Sequence, residues 1–452
     1  MEYSAIANGT YKERIPCRVE EIETSEIENA LRREDLLKVE RLPRVLRSSA
    51  FSPSEKGYHI EAEKAPDRKK AYVLLPAASE KGEKAALVLN YRYFTHKELL
   101  KKAGLNDEEC QSSYNRVGHI IHLNLNEDTL KHKELISRVL IDKIADCKTV
   151  IRKTGNITGV FRNIEIEHLQ GEKRYKTVQK ENGLRFSVDY EKVYWNSKLQ
   201  VERERVSKEI QPGDSVCDMF CGVGPFSILA LSRGAVVYAN DLNPASVLNF
   251  QESVVLNRKA LGVESESAIW NDELEDRVHL YNLDAEEFLH RATQDYTRAK
   301  KQSNGTFCHL GYNDCVASQD PEEPTEEHTT GRQAKDAYKD TQMKEQQIPH
   351  ENSAHDKGER AALFSHYILN LPELTLRYLE PFVYLEKRGV SRTDGKRNTV
   401  HAYFFIRDGE NAVRKVEDAM QRRIEGTSRL VRKVSPSKEM WLVSFFLDSK
   451  RE

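Results

Sequence analysis

Residues 216–226 read "VCDMFCGVGPF": an apolar run, an acid, two glycines one residue apart, and a proline. The apolar run predicts a buried strand that ends near Asp218–Phe220. Pro225 predicts the start of a helix, because its fixed φ and missing N–H suit the first helical turn. Gly222 and Gly224 then sit at a strand-to-helix turn, where the lack of a Cβ lets backbone approach a ligand closely. A dinucleotide fingerprint would put a third glycine where Ser227 stands. That disfavours NAD and FAD, and the ligand need not carry a phosphate.

The flanking sequence repeats the pattern. "PFSILALSRG" reads as a helix stopped by Gly234, "AVVYAND" as a second strand, "PASVLNFQESVVLNRKAL" as a second helix, and "VHLYNLDAEEFL" as a third strand entering a helix. Strands alternating with helices over short connections predict a parallel, doubly wound sheet. Asp241 ends the second strand, where an acid commonly holds ribose hydroxyls, and Asp284 ends the third, placed for an adenine amine. Both positions also suit a helix cap. Three strand ends thus offer the layout expected for S-adenosylmethionine. Asp218, Phe220, Gly222, Gly224 and Pro225 come from the loop, Asp241 and Leu242 from the second strand end, and Asp284 and Ala285 from the third. In "ILNLPELTLRYL" Asn370 precedes Leu371 and Pro372, which stops a fourth strand and aims an amide able to donate and accept toward a planar base.

The chain has 452 residues, 38% hydrophobic and 31% charged, with a net charge of −2. That length predicts several domains. We expect a small α+β domain over 1–107, a central α+β domain over 108–200, and the doubly wound domain over 201–452. Residues 291–358 are almost free of clustered aliphatics and predict a disordered insertion. The alternation resumes with "VHAYFFI", a helix near "NAVRKVEDAMQRRI", and "EMWLVSFFL". Seven cysteines at no zinc-site spacing predict no metal and suit a reducing compartment. No apolar run predicts a membrane span or a signal-peptide core, and Glu2 and Glu13 come early for a mitochondrial presequence. The expectation is a cytoplasmic monomer, with mitochondrial matrix and nuclear pools left open.

The ordered set "VGHIIHLNL", "LIDKI", "VFRNIEIEHLQGE", "VDYEKVYWNSKLQVERERV", "DMFCGVGPF", "NDLNP", "NLDAEEF" and "ILNLP" resembles the archaeal and eukaryotic tRNA (guanine-37-N1)-methyltransferases from Tyr114 to Phe446. The resemblance implies a class I methyltransferase fold, S-adenosylmethionine as cofactor, and a tRNA carrying guanosine at position 37. It implies Glu202 as the base that removes the N1 proton, Arg162 as the guanidinium that meets charge building on O6, and Asn370 as the holder of the base. Tyr194 and Trp195 are placed to stack on a base, although such aromatics are more often core. Glu202 lies in a charged run of the kind that is usually solvated. Lys198 stands where the family's S-R-L-x-x-E pattern has arginine, which keeps the charge but loses the bidentate fork. Pro372 completes the base-side loop. With so little net charge, RNA binding needs segregated cations; Lys387, Arg388, Arg392, Lys396 and Arg397 form one cluster and Lys173, Arg174 and Lys176 a second.

The main alternative is the related aminocarboxypropyl transferase of wybutosine synthesis, which uses the same cofactor. A cytosine-5 methyltransferase would need a cysteine nucleophile beside Pro372, where Leu371 stands. An RNA-binding protein without catalysis is a third reading, and a dehydrogenase the weakest.

Overall fold

The computed structural model describes residues 2–52, 57–63, 65–110, 113–154, 165–263, 274, 276–302, 361–390, 396–407 and 409–447. The chain forms two compact units, Met1–Lys180 with Ser187–Ser197, and Glu181–Phe186 with Lys198–Glu452. The boundary expected at 200 therefore falls beside Ser197, and Glu181–Phe186 belongs with the later unit.

The later unit carries a seven-stranded sheet. Its strands are β1 (Ser215–Asp218), β2 (Val236–Asn240), β3 (Val278–Tyr281), β4 (His366–Leu369), β5 (Asn398–Arg407), β6 (Gly426–Ser435) and β7 (Lys438–Leu447). They lie in the order β3-β2-β1-β4-β5-β7-β6. The first five are parallel, whereas β7 runs antiparallel to both β5 and β6. The strand order reverses between β1 and β4, which opens a crevice at the carboxyl ends of those strands. This is the doubly wound architecture the alternation predicts. The strand β6 is absent from the sequence reading, because "GTSRLVRKVS" has exposed residues on both faces and little apolar alternation.

Local chemistry sets the helices. Helix α1 spans Gln200–Ser207, α2 Pro225–Ser232, α3 Pro244–Leu256, α4 Ala285–Gln302, α5 Glu380–Arg388 and α6 Ala412–Met420. Both α2 and α3 carry proline in the first turn, and the Asn243 side chain accepts the Ala245 N–H at 3.0 Å to cap α3. Gly234 closes α2 at φ +86°, with Gly234 N–H donating to Leu231 O at 2.9 Å and Ala235 N–H to Ala230 O at 3.2 Å. That paired bonding needs a left-handed residue, hence glycine.

Helix α4 corrects the expected insertion. Residues 291–302 are its last turns, and Ala292, Thr293 and Tyr296 are buried. Tyr296 stacks on Phe364 with centroids 4.5 Å apart, and the Ser215 hydroxyl donates to its oxygen at 2.9 Å. The low aliphatic content hid a helix held by one aromatic face. The rest of the expected insertion, 303–358, lies outside the described residues.

Two larger sheets of the described residues lie in the earlier unit. Five antiparallel strands are ordered Val45–Arg47, Ala71–Pro76, Lys12–Ile22, Glu83–Asn90, Tyr58–Ala62. A four-stranded sheet follows over Ser113–Val117, Ile120–Asn124, Thr149–Lys153 and Ile166–Gly171, with helix Lys133–Lys143 crossing over between its parallel pair. The two sheets lie on either side of residue 107, within one compact unit, and one core of buried residues runs from Ile6 to Val150 through both. Among the described residues no helix is long and apolar enough to cross a membrane, and no cluster of three or more His, Cys, Asp or Glu is placed to hold a metal.

Candidate functional site

The site builds up at the β1/β4 reversal. Met219 N–H donates to Ile368 O at 3.0 Å and Cys221 N–H to Asn240 O at 2.8 Å, so the glycine loop is pinned to the ends of β4 and β2. Gly222 and Gly224 have φ of +56° and +86°. Their demands differ. A Cβ on Gly224 would overlap the Phe250 ring, so that glycine is required by packing within the protein. A Cβ on Gly222 would meet no atom within 4 Å, which leaves its face open for a ligand.

Three acids at the strand ends stand in unequal settings. Asp218 is 1% exposed, and burial pushes its carboxyl up to about 7. Ser227 donates to its Oδ2 at 2.7 Å, and Oδ1 has no hydrogen-bond partner among the described residues; the Ser227 hydroxyl and the nearby Phe220 N–H offset part of the rise. Ser227, where a dinucleotide fingerprint would have glycine, thus serves the loop's own acid. Asp241 accepts from Gly222 N–H at 2.8 Å and Asn243 N–H at 2.9 Å, and burial raises its carboxyl too. Asp284 is exposed and accepts the Glu286 N–H at 2.9 Å, the bond of a helix cap. The cap engages Oδ1 and does not consume the carboxylate.

Two asparagines that the sequence reading missed hold these strand ends together. Asn240 accepts the Leu283 N–H at 2.9 Å and donates to Leu283 O at 3.0 Å. Asn282 donates to Asp241 O at 2.7 Å and Leu242 O at 3.0 Å. Asn240 adjoins Asp241 and Asn282 stands two residues before Asp284, which is the signal that could have found them. Phe220 packs edge-on against Tyr378 at 5.2 Å, and Leu242 is 42% exposed beside the loop.

After β4, the Asn370 Oδ1 is buried and without a partner among the described residues. Leu371 N–H donates to Thr375 Oγ1 at 3.3 Å, and Phe405 N–H donates to Pro372 O at 3.1 Å, which fixes the turn. Two orphaned buried oxygens, Asp218 Oδ1 and Asn370 Oδ1, together with the open Gly222, fit a ligand that brings its own donors.

Glu202 is not on a solvated face. It is 5% exposed on α1, and its neighbour Arg203, 3% exposed, binds both oxygens of Glu181 at 2.8 and 2.9 Å. The Glu202 carboxylate receives Arg205 Nη2 at 2.9 Å and Nε at 3.2 Å, and the buried Tyr403 hydroxyl at 3.1 Å. Arg429 Nη1 stands 3.5 Å from its Oε2. The "ERERV" run is amphipathic in an unusual sense, since its inward face is built of buried, paired charges.

The other expected residues fall elsewhere. Arg162 and Arg392 lie outside the described residues. In the earlier unit Tyr194 is 43% exposed, whereas Trp195 is 5% exposed with its indole donating to Ser197 at 2.9 Å. Trp195 is therefore core, as its type suggests. Lys198 is exposed in the turn Ser197–Leu199. Lys387 and Arg388 end α5, where the Arg388 guanidinium bonds the Tyr384 hydroxyl. Lys396 is exposed, and Arg397 pairs with Glu425 at 2.5 Å over the Phe446 ring. Ala285 is buried at the start of α4. Lys173, Arg174 and Lys176 are exposed in the earlier unit, with Arg174 near Glu172 at 3.6 Å.

The TRM5/TYW2 methyltransferase domain family matches residues 177–304, and the TYW2 N-terminal domain family matches residues 96–174. A tRNA (guanine(37)-N(1))-methyltransferase of Encephalitozoon cuniculi is 32% identical over 357 residues, covering 78% of this chain and 73% of that protein. One from Drosophila pseudoobscura pseudoobscura is 45% identical over 172 residues, which are 38% of this chain and 39% of that protein. The crystal structure of Trm5b from Pyrococcus abyssi is 19% identical with a TM-score of 0.53, over 96% of this chain and 99% of that one, and shares the fold.

Proposed function

The chain belongs to the tRNA (guanine(37)-N1)-methyltransferase family, and from that premise we infer that it methylates N1 of guanosine 37 in tRNA with S-adenosylmethionine as cofactor. The observation that carries the reading at residue level is Glu202, a carboxylate buried and aimed by three donors in the same unit as the open glycine loop.

The cofactor supplies an electrophilic methyl group on a sulfonium. The chain's residues do the rest. Guanine N1 carries a proton at neutral pH and must lose it before its lone pair can attack. Glu202 accepts that proton. Arg205 and Tyr403 fix the rotamer of the carboxylate, so that proton transfer does not wait for a side chain to find its place. Negative charge then grows on guanine O6, the position given to Arg162 by the family resemblance. The free Asn370 carbonyl oxygen offers an acceptor for an N–H of the base or of the cofactor. Asp241 takes the ribose hydroxyls on the lone pairs its two backbone donors leave, and Asp284 the adenine amine. We further propose that the protein acts as a monomer in the cytoplasm, with mitochondrial and nuclear pools left open.

Asp241→Ala removes the ribose acceptor and leaves the Gly222 and Asn243 N–H groups without their partner. One to two such bonds to a charged group amount to about 2–4 kcal/mol, or a loss of roughly 30- to 1,000-fold in cofactor affinity. Titration calorimetry with S-adenosylmethionine reads this directly, and unchanged affinity would remove the ribose assignment.

Nucleoside mass spectrometry tests the reaction. An unmodified tRNA transcript with guanosine 37 and a second with adenosine 37 are incubated with the protein and S-adenosylmethionine. N1-methylguanosine only from the first supports the reading. An aminocarboxypropyl product, or no product from an enzyme that binds the cofactor, sinks it.

A further inference from the structure

The exposed edge strand β6 carries Arg429, Arg432 and Lys433 within ten residues, and β7 begins with Lys438. Opposed residues in antiparallel pairs share a sheet face. Tyr403 on β5, Leu442 on β7 and Arg429 on β6 form one such row, and the Tyr403 hydroxyl bonds Glu202. Phe405, Met440 and Arg432 form the next row. Residues three apart on a regular strand face opposite ways. Here a bulge between Leu430 and Arg432 inserts one residue, so Arg429 and Arg432 point to the same face. Lys438 follows two residues before Met440 on that face, with its Nζ 4.2 Å over the Phe405 ring.

We propose that Arg429, Arg432 and Lys438 form a cation track that grips the phosphate backbone of the RNA segment presenting the target base. The inference rests on the proposed function, since it takes Glu202 as the reacting end of the track. Rows two residues apart along a strand stand about 7 Å from one another, so three rows span about 14 Å. That length suits a polyanion better than a single phosphate. The track begins at Glu202 itself, 3.5 Å from Arg429, and runs along the edge toward the end of β5, where the Pro372 carbonyl accepts the Phe405 N–H.

Cations on an edge strand also discourage pairing with other chains. Edge protection alone would not require the charges to share a face. On the opposite face Lys433 pairs with Glu439 at 3.4 Å, beside Leu430 and Val434, 38% and 41% exposed. On the Glu202 face Arg432 makes no ion pair among the described residues. The Arg429 and Lys438 side chains are 48% and 41% exposed, Arg432 is half-buried, and among the described residues Lys438 has only the 3.6 Å contact with Glu373 as an ion pair. Phosphates can therefore reach all three without unfolding anything.

The test uses the full chain and the unmodified guanosine-37 transcript. Equilibrium binding is measured from low to moderate potassium chloride for wild type, Arg432→Gln, Arg432→Lys and the double variant Arg432→Gln/Lys438→Gln. Each lost phosphate contact should flatten the slope of log K against log salt by about 0.7–0.9. The double variant should lose about twice that, Arg432→Lys should retain the wild-type slope, and S-adenosylmethionine affinity should not change. Equal slopes in wild type and double variant overturn the track. Product formation by wild type is read in parallel: an active enzyme with equal slopes refutes the track alone, whereas a wild type that leaves guanosine 37 unmethylated refutes the functional reading beneath it.

Discussion

Glu202→Gln lowers the single-turnover methylation rate by about 10²- to 10⁴-fold, while S-adenosylmethionine affinity stays within two-fold of wild type. The expected loss is that of a general base. The amide keeps the shape of the carboxylate and can still accept the Tyr403 hydroxyl, but it cannot take the N1 proton. The substitution is also structurally tolerable. Arg205 keeps Glu209 at 2.6 Å, and Arg429 is half exposed, so neither cation is stranded in the interior. Loss of activity should therefore come without loss of fold, checked by an unchanged melting profile. A rate within ten-fold of wild type at saturating cofactor and RNA would remove Glu202 as the base and return it to a structural role as the anchor of Arg205.

The glycine loop, the acids at the strand ends and the Asn370 turn were legible because each rests on a local rule: a strand must end, glycine permits close approach, and proline begins a helix. The burial of Glu202 was not legible. Periodicity treats "ERERV" as polar, and only the fold brings Tyr403, about two hundred residues later, against it. The last turns of helix α4 are hidden in the sequence for the complementary reason. Its inward face relies on Phe288, Ala292, Thr293 and Tyr296, and the tail "RATQDYTRAK" counts as polar by composition. Strand β6 failed both tests, since its burial pattern has no apolar face and its register is broken by a bulge. Charged groups whose partners lie far away in the chain, and edge strands whose faces are set by a bulge, are the features that need coordinates.

Asp218→Asn should make the ligand-free protein more stable at pH 8 than wild type, relative to pH 4, and at the same time weaken cofactor binding. In the folded protein the Asp218 carboxyl is pushed up to about 7 by burial, against 3.8 without it. Below pH 4 both the folded and unfolded chains hold the proton, and the site costs little. Between pH 4 and 7 the unfolded chain gives up the proton while the folded chain keeps it, so stability falls as pH rises. Above pH 7 the carboxylate is ionised in the interior with one oxygen unpaired, and the whole penalty applies. A displacement of this size corresponds to about 4 kcal/mol. Asparagine has no such titration. Its own unmet amide hydrogens lower stability equally at both pH values and cancel from the difference. Asp241 titrates in both proteins, and its repulsion of an ionised Asp218 is part of the penalty that the substitution removes. Denaturant unfolding of wild type and variant should therefore diverge by several kcal/mol between pH 4 and pH 8, and parallel curves would show that Asp218 is not held neutral. The opposite trend is expected for the cofactor. The ammonium group of its amino-acid end would favour an ionised Asp218, so wild-type affinity should rise through pH 7 and the variant's should not. The stability lost to a buried acid and the affinity gained from it then belong to one group, at the end of the strand whose glycine loop opens toward the ligand.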